Sequence, residues 1–158
     1  MIFYTDGSAH PNPGPGGFGV VKLNDDNQLI KCYSQQYKKV KVTNNRMELE
    51  AILYVMLKYG TKQNGEWDEI PIVYSDSSYC VNTLNDWMFR WASNHWMKSD
   101  KKIPENLDLI QAYYDHWQEG FRIDLRKIKG HAGEEWNELA DDLATGRISA
   151  EEAERTYG

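Results

Sequence analysis

The sequence predicts an α/β domain in which helices flank a mixed sheet, and three observations support this prediction. Short runs rich in apolar and β-branched residues near the start of the chain, bounded by turn signals, are typical of strands. From Asn44 onward the apolar spacing changes to that of a helix, and strand and helix patterns then alternate. No linker or shift in composition divides the 158 residues. The order, three strands followed by helix, strand, two helices, strand and helix, indicates a single domain with a mixed sheet.

The first third of the chain is predicted to form an antiparallel meander. Strands are expected at residues 2–5, 18–23 and 29–37, with residues 24–27 as the turn between the second and the third. The segment 7–17 is rich in glycine and proline, and we expect an irregular loop there because proline cannot donate to a strand ladder.

A helix is predicted from Asn44 to the residue before Gly60. Its apolar residues recur at intervals of three and four, which places them on one face: Leu49, Ile52, Leu53, Met56 and Leu57. The later elements are expected in this order: strand 70–75, helix from 77, helix 106–118, strand 121–128 and helix 137–145.

The end of the chain, residues 146–158, is interpreted as a short helical or flexible tail after a main domain of residues 1–145. Ser149 and Glu152 have the spacing of a capping box, which predicts a helix start. The net charge of −6 also arises near this end, because residues after 130 include eight acids and two bases. The preceding part has 16 acids and 16 bases, so the overall charge does not exclude a nucleic-acid partner.

Composition indicates a soluble cytoplasmic domain, and a monomer is the default expectation for its oligomeric state. The chain is 41% hydrophobic and 27% charged, and no apolar stretch approaches the roughly 20 residues of a membrane span. The start of the chain enters a strand pattern without the basic and apolar segments of a secretory leader. Cys32 and Cys80 stand alone, so neither a disulfide nor a zinc site is predicted.

Two predicted strands end with an aspartate, Asp6 in one and Asp76 in the other. In α/β sheets, ligands bind beyond the carboxyl ends of strands where the strand order reverses, so aspartates on neighbouring strands would meet there. The alternative is structural, because an aspartate after a strand often caps a helix or forms a turn.

Two further acids extend this pattern, Glu48 in the helix from Asn44 and Asp141 in the last long helix. Four converging carboxylates would repel one another unless a cation lay between them. Their hard oxygen ligands, together with a phosphate, suit Mg²⁺. The sequence therefore predicts a site for phosphodiester chemistry with two metal ions.

These acids lie in segments that resemble type 1 ribonuclease H. The matching segments occur in the order of that family: Thr5-Asp6-Gly7-Ser8, Asn12-Pro13-Gly14-Pro15-Gly16-Gly17, Thr43-Asn44-Asn45-Arg46-Met47-Glu48-Leu49, Ser75-Asp76-Ser77-Ser78-Tyr79, Lys129-Gly130-His131-Ala132-Gly133 and Asn137-Glu138-x-x-Asp141. The resemblance runs from Ile2 to about Ala144, which is nearly the whole chain.

The resemblance implies a ribonuclease H-like fold, a five-stranded mixed sheet of order 3-2-1-4-5 flanked by helices. It implies hydrolysis of the RNA strand of RNA–DNA hybrids, leaving 5′-phosphate and 3′-hydroxyl ends. Asp6 would bridge two Mg²⁺ ions, for which Mn²⁺ would be a substitute. Asp141 would complete the ion that activates water, and Glu48 with Asp76 would complete the ion on the leaving oxygen.

Helical geometry alone does not choose between Asp141 and Asp142, because both lie equally far from the apolar face of their helix. Asn137 precedes Asp141 by four residues and so shares its side, and this spacing matches the Asn-x-x-x-Asp of the family. We therefore expect Asp141 to be the ligand and Asn137 to lie near the substrate. His131 stands in a glycine-flanked loop, where the resemblance implies an auxiliary role in proton transfer or product release and a turn residue is the alternative.

Contacts to the hybrid are implied for several short polar side chains. The resemblance assigns minor-groove contacts to Asn12, Asn44 and Asn45, and part of a DNA-phosphate pocket to Thr43. Asn44 is also a candidate N-cap of its helix. Ser78 stands where the family commonly has a glutamine, so this chain departs from the family at one RNA contact. A shallow minor groove read by shape and 2′-hydroxyls predicts no base specificity.

The segment from Trp87 to Lys98 resembles the family's aromatic handle for the DNA strand. Trp87, Trp91 and Trp96 are assigned to it together with Arg90 and Lys98, and a role in the core is the alternative for the three tryptophans. Lysines that other members carry after the middle tryptophan are absent here. Since phosphate contacts dominate affinity, we expect weaker and less salt-dependent hybrid binding.

Two rival functions remain open from the sequence. A hybrid-binding module without activity would have a broken carboxylate set, whereas all four acids are present here. Another nuclease of the same superfold, such as a junction resolvase, an integrase or the nuclease domain of a reverse transcriptase, is the second rival. The basic and aromatic segment and the His131 loop favour a freestanding cellular or phage enzyme.

Overall fold

The computed structural model describes residues 1–62, 69–128 and 135–158. Its main sheet contains five strands: β1 (Ile2–Ala9), β2 (Gly14–Leu23), β3 (Leu29–Val42), β4 (Ile72–Ser75) and β5 (Asp124–Lys127). They lie in the order β3-β2-β1-β4-β5, antiparallel among the first three and parallel from β1 through β4 to β5. This is the mixed sheet of order 3-2-1-4-5 that the resemblance implied.

Helices occupy the connections after β3. They are α1 (Asn44–Tyr59), α2 (Ser78–Asn82), α3 (Met88–Ser93), α4 (Leu107–Gln118), α5 (Glu135–Thr145) and α6 (Ala150–Tyr157). A π-helical turn, Thr83–Trp87, joins α2 to α3. In the part of the chain that the structure describes, none of the helices has the length and apolar character needed to span a membrane.

The sheet separates two hydrophobic layers. On one face, α1 and α4 contribute Ile52, Met56 and Ile110 to a cluster with the strand residues Phe3, Val20, Val73 and Leu125. On the other face, α5 and α6 cover a second cluster that includes Val21, Leu23, Cys32, Leu139, Leu143 and Ala153. Because helices cover both faces, the carboxyl ends of β1 and β4 form an accessible edge between them.

Two predictions for the strands were wrong. The segment 7–17 is not an irregular loop throughout, because β1 continues to Ala9 and β2 begins at Gly14. Gly17 pairs with Ser8 in the ladder between β1 and β2. A glycine stands at this position because α5 comes too close for a side chain, and a Cβ on Gly17 would meet the carbonyl oxygen of Ala144. The predicted strand 121–128 is divided, because Phe121–Arg122 pairs with Thr61–Lys62 in a separate small sheet while β5 pairs with β4.

Candidate active site

Asp6 and Asp76 lie side by side because β1 and β4 run parallel. Their preceding residues are in register, Thr5 opposite Ser75, and the Thr5 hydroxyl donates to the Tyr74 carbonyl at 3.2 Å. Asp6 is only 6% exposed, whereas Asp76 is exposed. The capping alternative for Asp76 is wrong, since the Oγ of Ser77 caps α2 by accepting the Cys80 N–H at 3.1 Å.

Glu48 reaches the two aspartates because α1 packs closely against β1. Thr43 caps α1, its Oγ1 accepting the Arg46 N–H at 3.1 Å. Gly7 allows the contact, because a Cβ at that position would overlap backbone atoms of Met47 and Glu48. The result is a cluster of three acids in which carboxylate oxygens of Asp6, Glu48 and Asp76 lie within 4.8 Å of one another.

Burial and mutual repulsion raise the pKa values of two acids in this cluster, Asp6 and Glu48. Burial, followed by the charges of Asp76 and Asp141, raises the pKa of Asp6 to about 8. Burial, followed by the charge of Asp6, raises the pKa of Glu48 well above its ordinary value. Glu48 Oε2 is buried and has no hydrogen-bond partner among the described residues. An unpartnered buried oxygen among crowded acids fits a divalent cation, which would supply both the missing partner and the opposing charge.

The Asp6→Asn substitution should stabilise the metal-free protein at high pH. A carboxyl whose pKa is raised on folding destabilises the native state increasingly as pH rises from about 4 to about 8, because the unfolded chain ionises first. We expect the substitution to raise the melting temperature in chelator by several degrees more at pH 8 than at pH 5, at about 2–4 °C per kcal/mol. Thermal unfolding at the two pH values measures this.

The matched control for that experiment is Asp26→Asn, which changes an exposed turn aspartate and should leave the melting temperature unaltered at both pH values. An equal gain for Asp6→Asn at pH 5 and pH 8 would contradict the repulsion within the cluster.

Asp141 adjoins the cluster from α5. The apolar face predicted for this helix is buried and consists of Leu139, Ala140, Leu143 and Ala144. The side chains of Asp141 and Asp142 are 47% and 41% exposed, as expected for positions on either side of that face. Asp141 acts on Asp6 by hydrogen bonding and by charge and raises its pKa. This interaction with Asp6 favours Asp141 over Asp142 as the fourth acid of the site, a choice that helical periodicity left open.

The asparagines predicted to contact substrate lie together beside the acids. Asn44 Oδ1 accepts the Ala9 N–H at 2.6 Å, and Asn12 Oδ1 accepts the Asn44 N–H at 3.2 Å. The N-cap alternative for Asn44 is wrong, because Thr43 holds that position. Asn45 is exposed next to them.

Two other predicted positions lie at the ends of helices. Ser78 is exposed at the first residue of α2, close in the chain to Asp76. Asn137 lies one turn before Asp141, and its Oδ1 is buried without a hydrogen-bond partner in the described chain. His131 belongs to residues 129–134, which lie outside the described residues.

The handle segment forms an open groove. Trp87, Arg90, Trp91 and Lys98 line a volume of about 480 Å³, and the rings of the two tryptophans are 6.3 Å apart between centroids. A second groove of about 280 Å³ extends from these tryptophans to Asn45. The two grooves thus connect the handle to the asparagines.

The tryptophans divide between surface and core. Trp87 is 36% exposed, while Trp91 and Trp96 pack partly against the main core. Trp96 places its ring edge-on to Tyr114 at 5.1 Å. Sequence reasoning missed several residues that line the grooves. Tyr79 ends the matched segment that begins at Ser75 but was given no role, and Met97, Ser99, Pro104 and Glu105 lie outside every matched segment.

Comparison with known proteins agrees with this geometry. The family model described as RNase H matches residues 1–149. A ribonuclease H of Cereibacter sphaeroides is 40% identical over 145 residues, which cover 91% of this chain and 91% of that protein.

Solved structures give the same result for the fold. LC9-RNase H1, a type 1 RNase H with the type 2 active-site motif, is 26% identical with a TM-score of 0.68, over 90% of this chain and 69% of that one. LC11-RNase H1, solved in complex with an RNA/DNA hybrid, is 24% identical with a TM-score of 0.64, over 96% and 97% of the two chains. The chain therefore belongs to the RNase H family.

Proposed function

We propose that this protein hydrolyses the RNA strand of RNA–DNA hybrids with Mg²⁺ as its cofactor, leaving 5′-phosphate and 3′-hydroxyl ends. The observation that carries the proposal is the cluster of Asp6, Glu48 and Asp76, with Asp141 next to Asp6. Family membership and the complex of LC11-RNase H1 with an RNA/DNA hybrid support the substrate.

The four carboxylates have distinct positions in this proposal. Asp6 interacts with the other three and would be a ligand common to both cations. Glu48 and Asp76 would hold one cation together with Asp6, and Asp141 would hold a second together with Asp6. When bound, divalent cations supply activation of water and neutralisation of charge on the phosphate. All four groups come from one chain, so the proposal needs no second subunit.

Recognition of the hybrid falls to uncharged groups beside the acids. Asn12 and Asn44 are held by hydrogen bonds to each other and to the backbone of Ala9, so their remaining polar atoms have fixed directions. Together with exposed Asn45, they present amides suited to the 2′-hydroxyls and base edges of a shallow minor groove. The handle groove, with Arg90 and Lys98, would receive the phosphates of the DNA strand.

One labelled RNA, presented as a single strand, as an RNA duplex and as an RNA–DNA hybrid, tests the proposal. Each form is incubated with Mg²⁺ and with chelator, and the Asp6→Asn variant purified in the same way controls for contaminating nucleases. We expect cleavage of the hybrid alone, in Mg²⁺ alone, and by the unsubstituted protein alone. Cleavage of the single strand or the RNA duplex at a comparable rate, or in chelator, contradicts the proposal.

Adding lysines to the handle should strengthen hybrid binding. Ala92, Ser93 and Asn94 follow Trp91, and each phosphate contact contributes about 0.7–0.9 to the logarithmic salt slope. The triple change to lysine is expected to lower KM for hybrids and to steepen its salt dependence, with kcat unaltered. Steady-state kinetics at several salt concentrations measure all three quantities.

The control is a double lysine variant at two exposed positions of α6, Glu151 and Thr156, away from the handle. It changes the net charge by the same three units as the handle variant. If both variants change KM and the salt slope equally, the effect is one of net charge and the handle does not bind nucleic acid.

A further inference from the structure

Arg147 is held at the end of α5 by the backbone. Gly146 adopts a left-handed conformation with φ of 77°, and its N–H donates to the Leu143 carbonyl at 3.3 Å. The Arg147 N–H donates to the Asp142 carbonyl at 2.9 Å. Ile148 then packs against the α5 and α6 core. The chain therefore turns back on itself, and the Arg147 side chain returns over the last turns of the helix.

This turn places one guanidinium nitrogen between two aspartates. Arg147 Nη1 lies 3.2 Å from Asp141 Oδ2 and 3.1 Å from Asp142 Oδ1. The Arg147 side chain is 64% exposed, and exposed pairs of this kind contribute little to folding stability. Stability alone is thus a poor explanation for a positioned cation at this point.

The Asp141 carboxylate therefore interacts both with the Arg147 guanidinium and with Asp6 of the acid cluster. It acts on Asp6, yet it lies outside the group of three whose oxygens are all within 4.8 Å. A carboxylate that contacts a guanidinium presents less negative charge to a metal ion, and the positive charge also repels that ion. Arg147 and a divalent cation consequently compete for the same side chain.

We propose that Arg147 is a positioning residue that holds Asp141 in the metal-free protein and weakens divalent-cation binding at the site through that contact. The inference rests on the proposed function, in which Asp141 is a metal ligand. It adds a residue outside the matched family motifs, and it assigns a role to the first residues of the 146–158 tail.

Isothermal calorimetry with Mg²⁺ alone, without nucleic acid, tests the inference. Arg147→Gln removes the charge at an exposed position, Arg147→Lys keeps it, and Arg155→Gln removes an equal charge from the exposed surface of α6. We expect Arg147→Gln to lower the Mg²⁺ Kd about three- to tenfold at low salt and less at high salt. Arg147→Lys and Arg155→Gln should stay within about twofold of the parent.

A double-substitution cycle with Asp141→Asn separates this inference from the proposed function. Asp141→Asn alone should weaken Mg²⁺ binding, and Arg147→Gln should then have a smaller effect than in the parent, because only the direct repulsion between the guanidinium and the ion remains to be removed. If Asp141→Asn weakens binding while Arg147→Gln changes nothing in the parent, the inference is overturned and Asp141 remains a ligand. If Asp141→Asn leaves Mg²⁺ binding unaltered, the ligand assignment fails and the inference fails with it.

Hybrid kinetics provide a second readout. Arg147→Gln should lower the Mg²⁺ concentration that gives half-maximal activity, without altering KM for the hybrid. A raised KM with an unchanged Mg²⁺ Kd would show that Arg147 contacts nucleic acid instead, and would overturn the inference.

Discussion

Asp6→Asn is expected to lower kcat on RNA–DNA hybrids by about a thousandfold or more, with little change in the hybrid Kd. The amide keeps the shape of the carboxylate but removes the anionic ligand at the centre of the acid cluster. Asp76→Asn should behave in the same way, since its carboxylate belongs to the same cluster. Single-turnover cleavage and a separate binding measurement in Mg²⁺ distinguish the loss of chemistry from a loss of affinity.

Asp26→Asn serves as the control for both variants, because it makes the same chemical change in the exposed turn between β2 and β3. It should retain full activity. If Asp6→Asn and Asp76→Asn each keep more than about a tenth of the parent rate, the assignment of a metal site to these acids fails.

The second large effect concerns the adjacent acids of α5. Asp141→Asn is expected to cost at least about a hundredfold in kcat, because it would remove a proposed ligand to the cation that activates water. Asp142→Asn should stay within about threefold. The two residues form a matched pair, because their side chains are similarly exposed and both contact Arg147. They differ in that Asp141 acts on Asp6.

Steady-state kinetics on one hybrid substrate measure both variants, with melting temperatures to confirm folding. If Asp142→Asn is the inactive variant and Asp141→Asn the active one, the fourth ligand is Asp142 and α5 presents a different side to the site.

The convergence of Asp6, Glu48 and Asp76 could be predicted from local sequence patterns, because the strands and the helix that carry them form where those patterns indicate. Asp6 and Asp76 end short apolar strand patterns, and parallel pairing of β1 with β4 brings such ends together. The helix predicted from Asn44 to the residue before Gly60 was confirmed at both ends, which fixes Glu48 on the inner side of α1. The strand ends and the bounds of α1 depend on hydrophobic periodicity and capping residues, and both can be identified in a single sequence.

Other features depend on partners far along the chain. Gly17 was expected in a loop but lies in β2, paired with Ser8 and Gln36. The close approach of α5, which leaves no room for a side chain, explains why this strand residue is glycine. The division of segment 121–128 requires a pairing with Thr61–Lys62 that no local pattern reveals. Periodicity also could not separate Asp141 from Asp142, since the distinction depends on where Asp6 lies relative to the helix.

The contacts of Arg147 show that prediction from the sequence has a similar limit within the site itself. A glycine after a helix followed by a basic residue is a recognisable C-terminal signal, and Gly146 fits it. That signal predicts the turn but not which carboxylate the arginine contacts, because the contact depends on the direction of the side chain after the turn.

A crystal structure of the Asp141→Asn variant bound to an RNA–DNA hybrid in Mg²⁺ tests the central claim most directly, because slow cleavage preserves the substrate. We predict Mg²⁺ at about 2.0–2.1 Å from carboxylate oxygens of Asp6, Glu48 and Asp76 and in contact with a phosphate of the RNA strand. The asparagines Asn12, Asn44 and Asn45 should face the minor groove beside that phosphate. A hybrid seated elsewhere, or an RNA phosphate at these acids with no metal ion between them, would contradict the account.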